Sequence, residues 1–354
     1  MTGCTDTLAS APQLPRNTKK PYVKRVAQDH SQAIRRTVQV AFLLLNLWLG
    51  TQFVLFVKQF EGVGGAGVSR PPGVEGWLPI AGLMNTRLWL VTGQAPLIHP
   101  AAMVLLLTFF AISLLMRKAF CGWLCPVGTV SEWLWKAGRA IFKRNFPLPR
   151  WLDIPLRGLK YLLLGLFLYA VVGMTAQALA EFLQSPYGLI ADVKMLNLFR
   201  FLSVTGAVVL AVLALASIFV QNFWCRYLCP YGALMGLASL ASPLRIRRVD
   251  ERCIDCTLCA KACPSHLPVD KLVQIRSAEC LGCMECVKIC PAEGALAMTI
   301  APRRPVAPWL IAAVMAVIFF GAVGYAKWTG HWESPIPSAV YQRLIPHAAE
   351  FEHP

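Results

Sequence analysis

Five stretches of this chain are apolar for long enough to cross a hydrocarbon layer of about 30 Å, which takes roughly twenty residues of α-helix. They are Val38–Val57, Pro100–Met116, Leu159–Ala178, Phe201–Val220 and Pro308–Tyr325. The second is short, and reaches back toward Leu88 if Trp89 and its neighbours join the same helix. Ala176–Met195 reads as an interfacial or re-entrant helix rather than a sixth span. The chain is 56% hydrophobic and 15% charged, too apolar for an ordinary soluble domain, where about 25% of residues are charged. Residues 1–37 are polar and basic, and the first apolar run is too long for the h-region of a secretory signal.

The formal charge of +16 raises the question of nucleic acid, and its placement answers it. Arg16, Lys19, Lys20, Arg35 and Arg36 precede the first span. Arg117, Lys118, Lys136, Arg139 and Arg144 lie between the second and third, and Arg245, Arg247 and Arg248 between the fourth and fifth. The segments on the other side are poor in Lys and Arg. The positive-inside rule then puts the N-terminus and both basic loops in the cytoplasm and the C-terminus in the periplasm, as an odd number of spans requires. The basic excess is topology and lipid-headgroup contact; no recognition motif accompanies it, so nucleic acid is excluded as a partner.

Eight of the thirteen cysteines fall in two copies of one spacing. Cys253-x2-Cys256-x2-Cys259-x3-Cys263-Pro264 is followed by Cys280-x2-Cys283-x2-Cys286-x3-Cys290-Pro291. The run resembles that of bacterial two-cluster ferredoxins, in which the fourth cysteine of each copy ligates the other copy's [4Fe–4S] cluster. That resemblance implies one cluster on Cys253, Cys256, Cys259 and Cys290, and a second on Cys280, Cys283, Cys286 and Cys263. Such thiolates need a reducing or metal-loading compartment. Structural zinc is the rival, but it rarely uses three cysteines at successive x2 spacing followed by Cys-Pro. Arg245–Val249 and Ala295–Ile300 read as short strands pairing across the two halves of a small α+β domain.

A second repeat divides the membrane part. Residues 120–128, Phe-Cys-Gly-Trp-Leu-Cys-Pro-Val-Gly, align without gaps on residues 224–232, Trp-Cys-Arg-Tyr-Leu-Cys-Pro-Tyr-Gly. Each copy follows the cytoplasmic end of a span, as in a duplicated two-helix hairpin. Each leads into a stretch too short or too polar to cross, Thr129–Lys143 and Ala233–Leu240. Cys121 and Cys125 are four apart, as are Cys225 and Cys229, so on a helix each pair shares a face. Packing about a pseudo-twofold axis would bring all four thiols together at the inner membrane face. The plainer reading is four small buried side chains; against it, all four are confined to the repeated motif. A further cluster, copper, and a cycling dithiol all remain open for them. Cys4, in the polar tail, reads as a free thiol.

Haem is not expected, because there is no Cys-x-x-Cys-His and His99 is the lone histidine near a span. His99, His331 and His347 form a speculative outer-face quinone or metal site, against the plainer reading of solvated loop histidines. Glu181 and Asp192, flanking an apolar stretch, suit the outer interface.

The ferredoxin run, the paired Cys-Gly-Trp-Leu-Cys-Pro and Cys-Arg-Tyr-Leu-Cys-Pro motifs and the span count together resemble the NapH/NosR/CcoG group of membrane-bound polyferredoxins, in its short YccM-like form. The resemblance runs over roughly residues 38–325. It implies an α-helical membrane protein of about five transmembrane helices carrying an α+β two-cluster ferredoxin domain. The parts would be a basic tail (1–37), a membrane domain (38–244), the ferredoxin domain (245–301), a last span (302–325) and a periplasmic tail (326–354). It further implies a bacterial inner-membrane protein that passes electrons between the quinone pool and a partner reductase or flavoprotein, as a subunit or donor rather than a stand-alone enzyme. The alternative is a copper-handling assembly factor that uses Cys121, Cys125, Cys225 and Cys229. No flavin-attachment motif is visible, so covalent FMN is not expected.

Overall fold

The computed structural model describes residues 23–26, 29–62, 67–301 and 304–353; Cys4 lies outside them. Fourteen α-helices and one small sheet are described, and three of the helices are long and apolar enough to cross a membrane: α1 (Ser31–Phe60), α5 (Arg150–Gly173) and α13 (Pro308–Trp328). A bent pair, α8 (Ala191–Arg200) and α9 (Val204–Phe219), passes the same test only when its two arms, 81° apart, are taken together. The apolar α3 (Pro100–Leu115) has 16 residues, about 24 Å at 1.5 Å per residue, and so falls short of a full hydrocarbon layer.

The second span does not reach back to Leu88. That residue belongs to a separate helix, α2 (Pro79–Thr92), which Gly93 closes in the left-handed conformation at φ 71°. The third apolar stretch also ends earlier than its composition suggests. The chain leaves α5 at Met174, and Thr175 caps α6 (Ala176–Gln184), accepting from the Ala178 N–H. Ala176–Met195 is thus broken into α6, α7 (Pro186–Leu189) and the start of α8. The two polar stretches after the cysteine repeats are helical, as α4 (Pro126–Phe142) and α10 (Pro230–Ala238).

The ferredoxin segment contributes β1 (Arg245–Arg248), β2 (Leu296–Ala301) and β3 (Arg304–Pro305), with short helices α11 (Leu258–Lys261) and α12 (Glu285–Ile289). The strands expected at the two ends of the domain pair antiparallel, Ile246 opposite Met298 and Arg248 opposite Leu296. Ile246 and Met298 point inward and are buried, while Arg245 and Arg247 alternate outward. After β3 the chain enters α13, and α14 (Ser338–Leu344) lies in the C-terminal segment.

One hydrophobic core runs without a break from α3 (Phe109, Ile112) through the first cysteine motif (Phe120, Trp123) into the ferredoxin sheet (Ile246, Met298). The ferredoxin segment is therefore packed into the helical part, not tethered beside it. A second core gathers Phe53, Phe56 and Val57 at the far end of α1 with Ile190, Tyr341 and Leu344. The long axis of α1 thus joins a ferredoxin end to an opposite end made of α8, α14 and the loop before α2.

Candidate metal centres

Both membrane motifs fold as a single wide π-helical turn, Phe120–Leu124 and Trp224–Leu228. The Cys125 N–H donates to Phe120 O at 2.9 Å, and the Cys229 N–H to Trp224 O at 3.0 Å. The simple α-helical face expected for each Cys-x3-Cys pair is replaced by this wider loop, a form that recurs at functional sites. Pro126 and Pro230 then start α4 and α10, where their missing N–H costs nothing. Cys125 and Cys229 cap those helices, each sulfur accepting a backbone N–H, from Gly128 at 3.5 Å and from Gly232 at 3.2 Å. Gly128 has to be glycine: a Cβ there would lie 2.4 Å from Cys121 O.

The structure brings all four thiols to one place. Cys121, Cys125, Cys225 and Cys229 line a single cavity of about 840 Å³, together with Lys118 and Tyr231. Burial pushes the Cys121 thiol up to about 12 and Cys125 to about 11, and Cys225 also rises well above the ordinary value, by burial and then by the neighbouring Cys229, Cys125 and Cys121. Cys121, Cys125 and Cys225 thus resist ionisation; a metal centre would supply the compensating cation, and its binding would release protons.

The ferredoxin cysteines sort into two sets. Burial, then Asp270, Cys253 and Cys290, raise Cys259 to about 11, and Cys290 feels Cys256 and Cys253. Burial raises Cys286 well above its ordinary value, followed by Cys283, Cys280 and Cys263. Those last four cysteines line one small apolar pocket, walled by Ile246, Leu267, Val269 and Ile275. In each set the fourth cysteine comes from the other copy of the run. Cys256 is exposed, whereas Cys263, Cys280 and Cys286 are buried. Among the described residues no three His, Cys, Asp or Glu side chains group closely enough for a single metal ion. A single tetrahedral ion with metal–sulfur bonds of about 2.3 Å draws its sulfurs to within about 4 Å of one another. An all-cysteine donor set of four that does not close on a single ion suits an iron–sulfur cube.

The membrane motif and the second ferredoxin set adjoin. Cys121, Cys225 and Cys283 line the same small pocket, with Gly122 and Leu281 between them. A Cβ on Gly122 would come 2.6 Å from Leu281 O, so this glycine permits the approach. Trp123 Nε1 donates to Gly282 O at 3.1 Å and Gln32 Nε2 to Cys283 O at 2.7 Å. Arg35, 0% exposed, lies beneath the junction. It donates to both carboxylate oxygens of Glu132 at 2.6 Å, to Glu285 at 3.1 Å and to Gly122 O at 3.2 Å.

Sequence reasoning missed these cations as site residues, counting Arg35 and Lys118 only as topology. Lys118 is 2% exposed. Burial pulls its pKa down, but Cys121, Glu279, Cys229 and Cys225 outweigh that and the net shift is upward. Burial would raise Glu279, but Lys118 and Lys160 hold it below the usual carboxylate range. Lys160 Nζ sits 2.6 Å from each Glu279 oxygen, and the Tyr161 hydroxyl donates to it at 3.2 Å. The available signal was register: Lys118 stands three residues before Cys121, where the second repeat has Asn222.

At the opposite end His99 does not meet His331 or His347 in a metal group. Its ring is buried between Gly188 O, 2.8 Å from Nε2, and Glu75 Oε1, 3.3 Å from Nδ1. Arg70 bridges Glu75 at 2.8 Å and Asp192 at 2.7 Å. Burial alone would lower the His99 pKa, yet Glu75 and Asp192 turn the net shift upward. His331 is exposed, and His347 pairs with Glu350 at the surface. Glu181, also exposed, accepts from Gln177.

Two family models match the chain. One described as a 4Fe-4S binding domain matches residues 98–149 and again 202–248, the two segments with the repeated motif. One described as a 4Fe-4S dicluster domain matches residues 245–291. The "Putative electron transport protein YccM" of Escherichia coli (strain K12) is 50% identical over 328 residues, covering 90% of this chain and 91% of YccM. The "Ferredoxin-type protein NapH" of Haemophilus influenzae is 29% identical over 46% of this chain and 52% of NapH. The "Regulatory protein NosR" of Stutzerimonas stutzeri is 33% identical over 45% of this chain and 22% of NosR. No solved structure matches.

Proposed function

The chain belongs to the YccM, NapH and NosR family of iron–sulfur polyferredoxins, and on that premise we propose that it conducts electrons in a bacterial inner membrane, between the quinone pool and a partner reductase or assembly system. Three [4Fe–4S] clusters are assigned. One is held by Cys253, Cys256, Cys259 and Cys290, one by Cys280, Cys283, Cys286 and Cys263, and one by Cys121, Cys125, Cys225 and Cys229. Each cluster, when bound, takes up or releases a single electron.

The chain's own part is positional. The observation that carries the reading is the shared pocket of Cys121, Cys225 and Cys283, which puts the membrane cysteines next to the inner ferredoxin set. Arg35, Trp123 and Gln32 hold that junction closed, and the exposed Cys256 leaves the outer ferredoxin set facing a soluble partner. The cavity that ends on the four membrane cysteines is walled by Phe42, Leu49, Leu105, Phe109 and Phe319. Its size and apolar wall support a lipid-soluble carrier such as a quinone. The five-span topology takes α1, α3, α5, the bent α8–α9 pair and α13 as crossings, with the ferredoxin segment cytoplasmic and the C-terminus periplasmic; the basic residues gathered at the motif end support it.

The test is iron, sulfide and copper content per chain together with EPR of the purified, reduced protein. About twelve irons are expected, falling to about eight when Cys121, Cys125, Cys225 and Cys229 all become serine, with loss of quinol-driven reduction of the ferredoxin clusters. Copper in place of iron at those four cysteines would move the protein to metal handling. Quinol-driven reduction that survives the fourfold change would remove the membrane centre from the route.

A further inference from the structure

Lys118 is a buried ammonium that caps no helix and makes no close ion pair among the described residues. It lines the cavity with Cys121, Cys125, Cys225 and Cys229 and is 2% exposed. Its electrostatic neighbours are Cys121, Glu279, Cys229 and Cys225. Glu279 immediately precedes Cys280 of the inner ferredoxin set. Lys118 therefore stands near both the membrane thiols and a carboxylate at the edge of the next set, and Lys160 pairs with that carboxylate at 2.6 Å. A buried cation is costly unless anions surround it, so its retention here needs a reason. Asn222 occupies the place of Lys118 in the second repeat, which carries instead a buried Arg226 in the place of Gly122. Arg226 is taken up by Asp153, at 2.9 Å and 3.0 Å, and Lys160 by Glu279, whereas Lys118 lines the cavity with the four cysteines.

We propose that Lys118 is a positioning residue that sets the reduction potential of the centre on Cys121, Cys125, Cys225 and Cys229. This rests on the reading that those cysteines hold an iron–sulfur cluster. Reduction adds one electron, and hence one negative charge, to the site. A fixed ammonium beside it favours the reduced form and raises the potential, whereas Glu279 opposes that effect from the ferredoxin side.

Potentiometric EPR titration of the full-length protein in lipid nanodiscs tests this. In Lys118→Met the reduced-to-oxidised ratio of the membrane centre, read at the wild-type midpoint, should fall about tenfold, which is about 59 mV for one electron. Lys118→Arg keeps the charge and should stay close to wild type, while Glu279→Gln should shift the ratio in the opposite direction. A fully loaded Lys118→Met protein with an unchanged midpoint overturns the proposal. If Lys118→Met and Lys118→Gln both fail to take up iron while Lys118→Arg loads, the charge serves assembly, and potential tuning is overturned. If the four-serine variant holds as much iron as wild type, the cluster assignment itself has failed, a result distinct from either of these.

Discussion

Gly122 of the first membrane motif and Leu281 of the ferredoxin loop meet backbone to backbone, with room for a hydrogen and not for a methyl group. The contact sits between Cys121 and Cys283, the two thiols that approach across the junction. Electron transfer slows steeply with separation, so a displacement of this loop is felt directly. Gly122→Ala should force the Cys280–Cys283 loop outward at a cost of about 1–3 kcal/mol, the usual range for overpacking. The expected result is full iron content with slowed electron equilibration between the membrane and ferredoxin centres, read by freeze-quench EPR. An unchanged rate would mean that the loop relaxes without moving Cys283.

Arg35 is the charge on which the junction depends. Arg35→Met strands the carboxylates of Glu132 and Glu285, which it now pairs from a fully buried position. Removing one partner of a buried pair costs about 3–5 kcal/mol. Lys136 contacts both carboxylates and is partly exposed, so the loss should fall toward the lower end of that range. Thermal unfolding of the detergent-solubilised protein, followed through cluster absorbance, should start at lower temperature, and the double variant Arg35→Met with Glu132→Gln should recover part of the loss.

Glu132 also gives the junction a pH dependence. Burial would raise its pKa, but the Arg35 hydrogen bond and charge, with Lys136, hold it at about 2, against an ordinary 4.5. A depressed carboxylate contributes stability that is complete above pH 4.5 and is lost as pH falls through about 2. Hydrogen exchange of Glu285–Ile289 should therefore speed up over that window in wild type. In Glu132→Gln the extra slope between those two values should vanish, and a slope equal to wild type would assign the effect to other groups.

The crossed cysteine sets predict a selective loss. Cys263→Ser, although it lies in the first run, should disturb the cluster of Cys280, Cys283 and Cys286, and Cys290→Ser the cluster of Cys253, Cys256 and Cys259. EPR of each variant should lose a different signal, with about four irons lost or a cluster degraded in each case. Loss of the signal belonging to the same run would overturn the crossed arrangement.

Much of this was legible because spacing is local information. The pairing of Arg245–Arg248 with Leu296–Ala301 follows from where the strands flank the ferredoxin run, and the convergence of Cys121, Cys125, Cys225 and Cys229 on one cavity from a short repeated motif. Helix ends in the apolar stretches were less legible. Gly93 and Thr175 decide where α2 and α5 stop, and a hydropathy window averages over single residues of that kind. The buried charges were not legible at all. Arg35, Lys118 and Glu279 look like surface residues until the chain is folded, because Glu132, Cys225, Cys229 and Lys160 come from distant segments and only Cys121, three residues after Lys118, is local. His99 failed as an outer ligand for the same reason: Glu75 and Gly188, not His331 and His347, are what surround it.

The ferredoxin segment is threaded into the chain between α10 and α13, with its core continuous with theirs. A free ferredoxin finds its partner by encounter, so its rate rises with concentration and, between charged surfaces, falls with salt. Here the two neighbouring cysteine sets share one molecule, so on the proposed route the effective concentration of each centre for the other is set by folding rather than by abundance. On the proposed route, transfer across the Cys121–Cys283 junction would be a first-order event, indifferent to dilution and ionic strength. On the proposed route the encounters that remain are those of the lipid-soluble carrier with the cavity and of a soluble partner with the outer ferredoxin set.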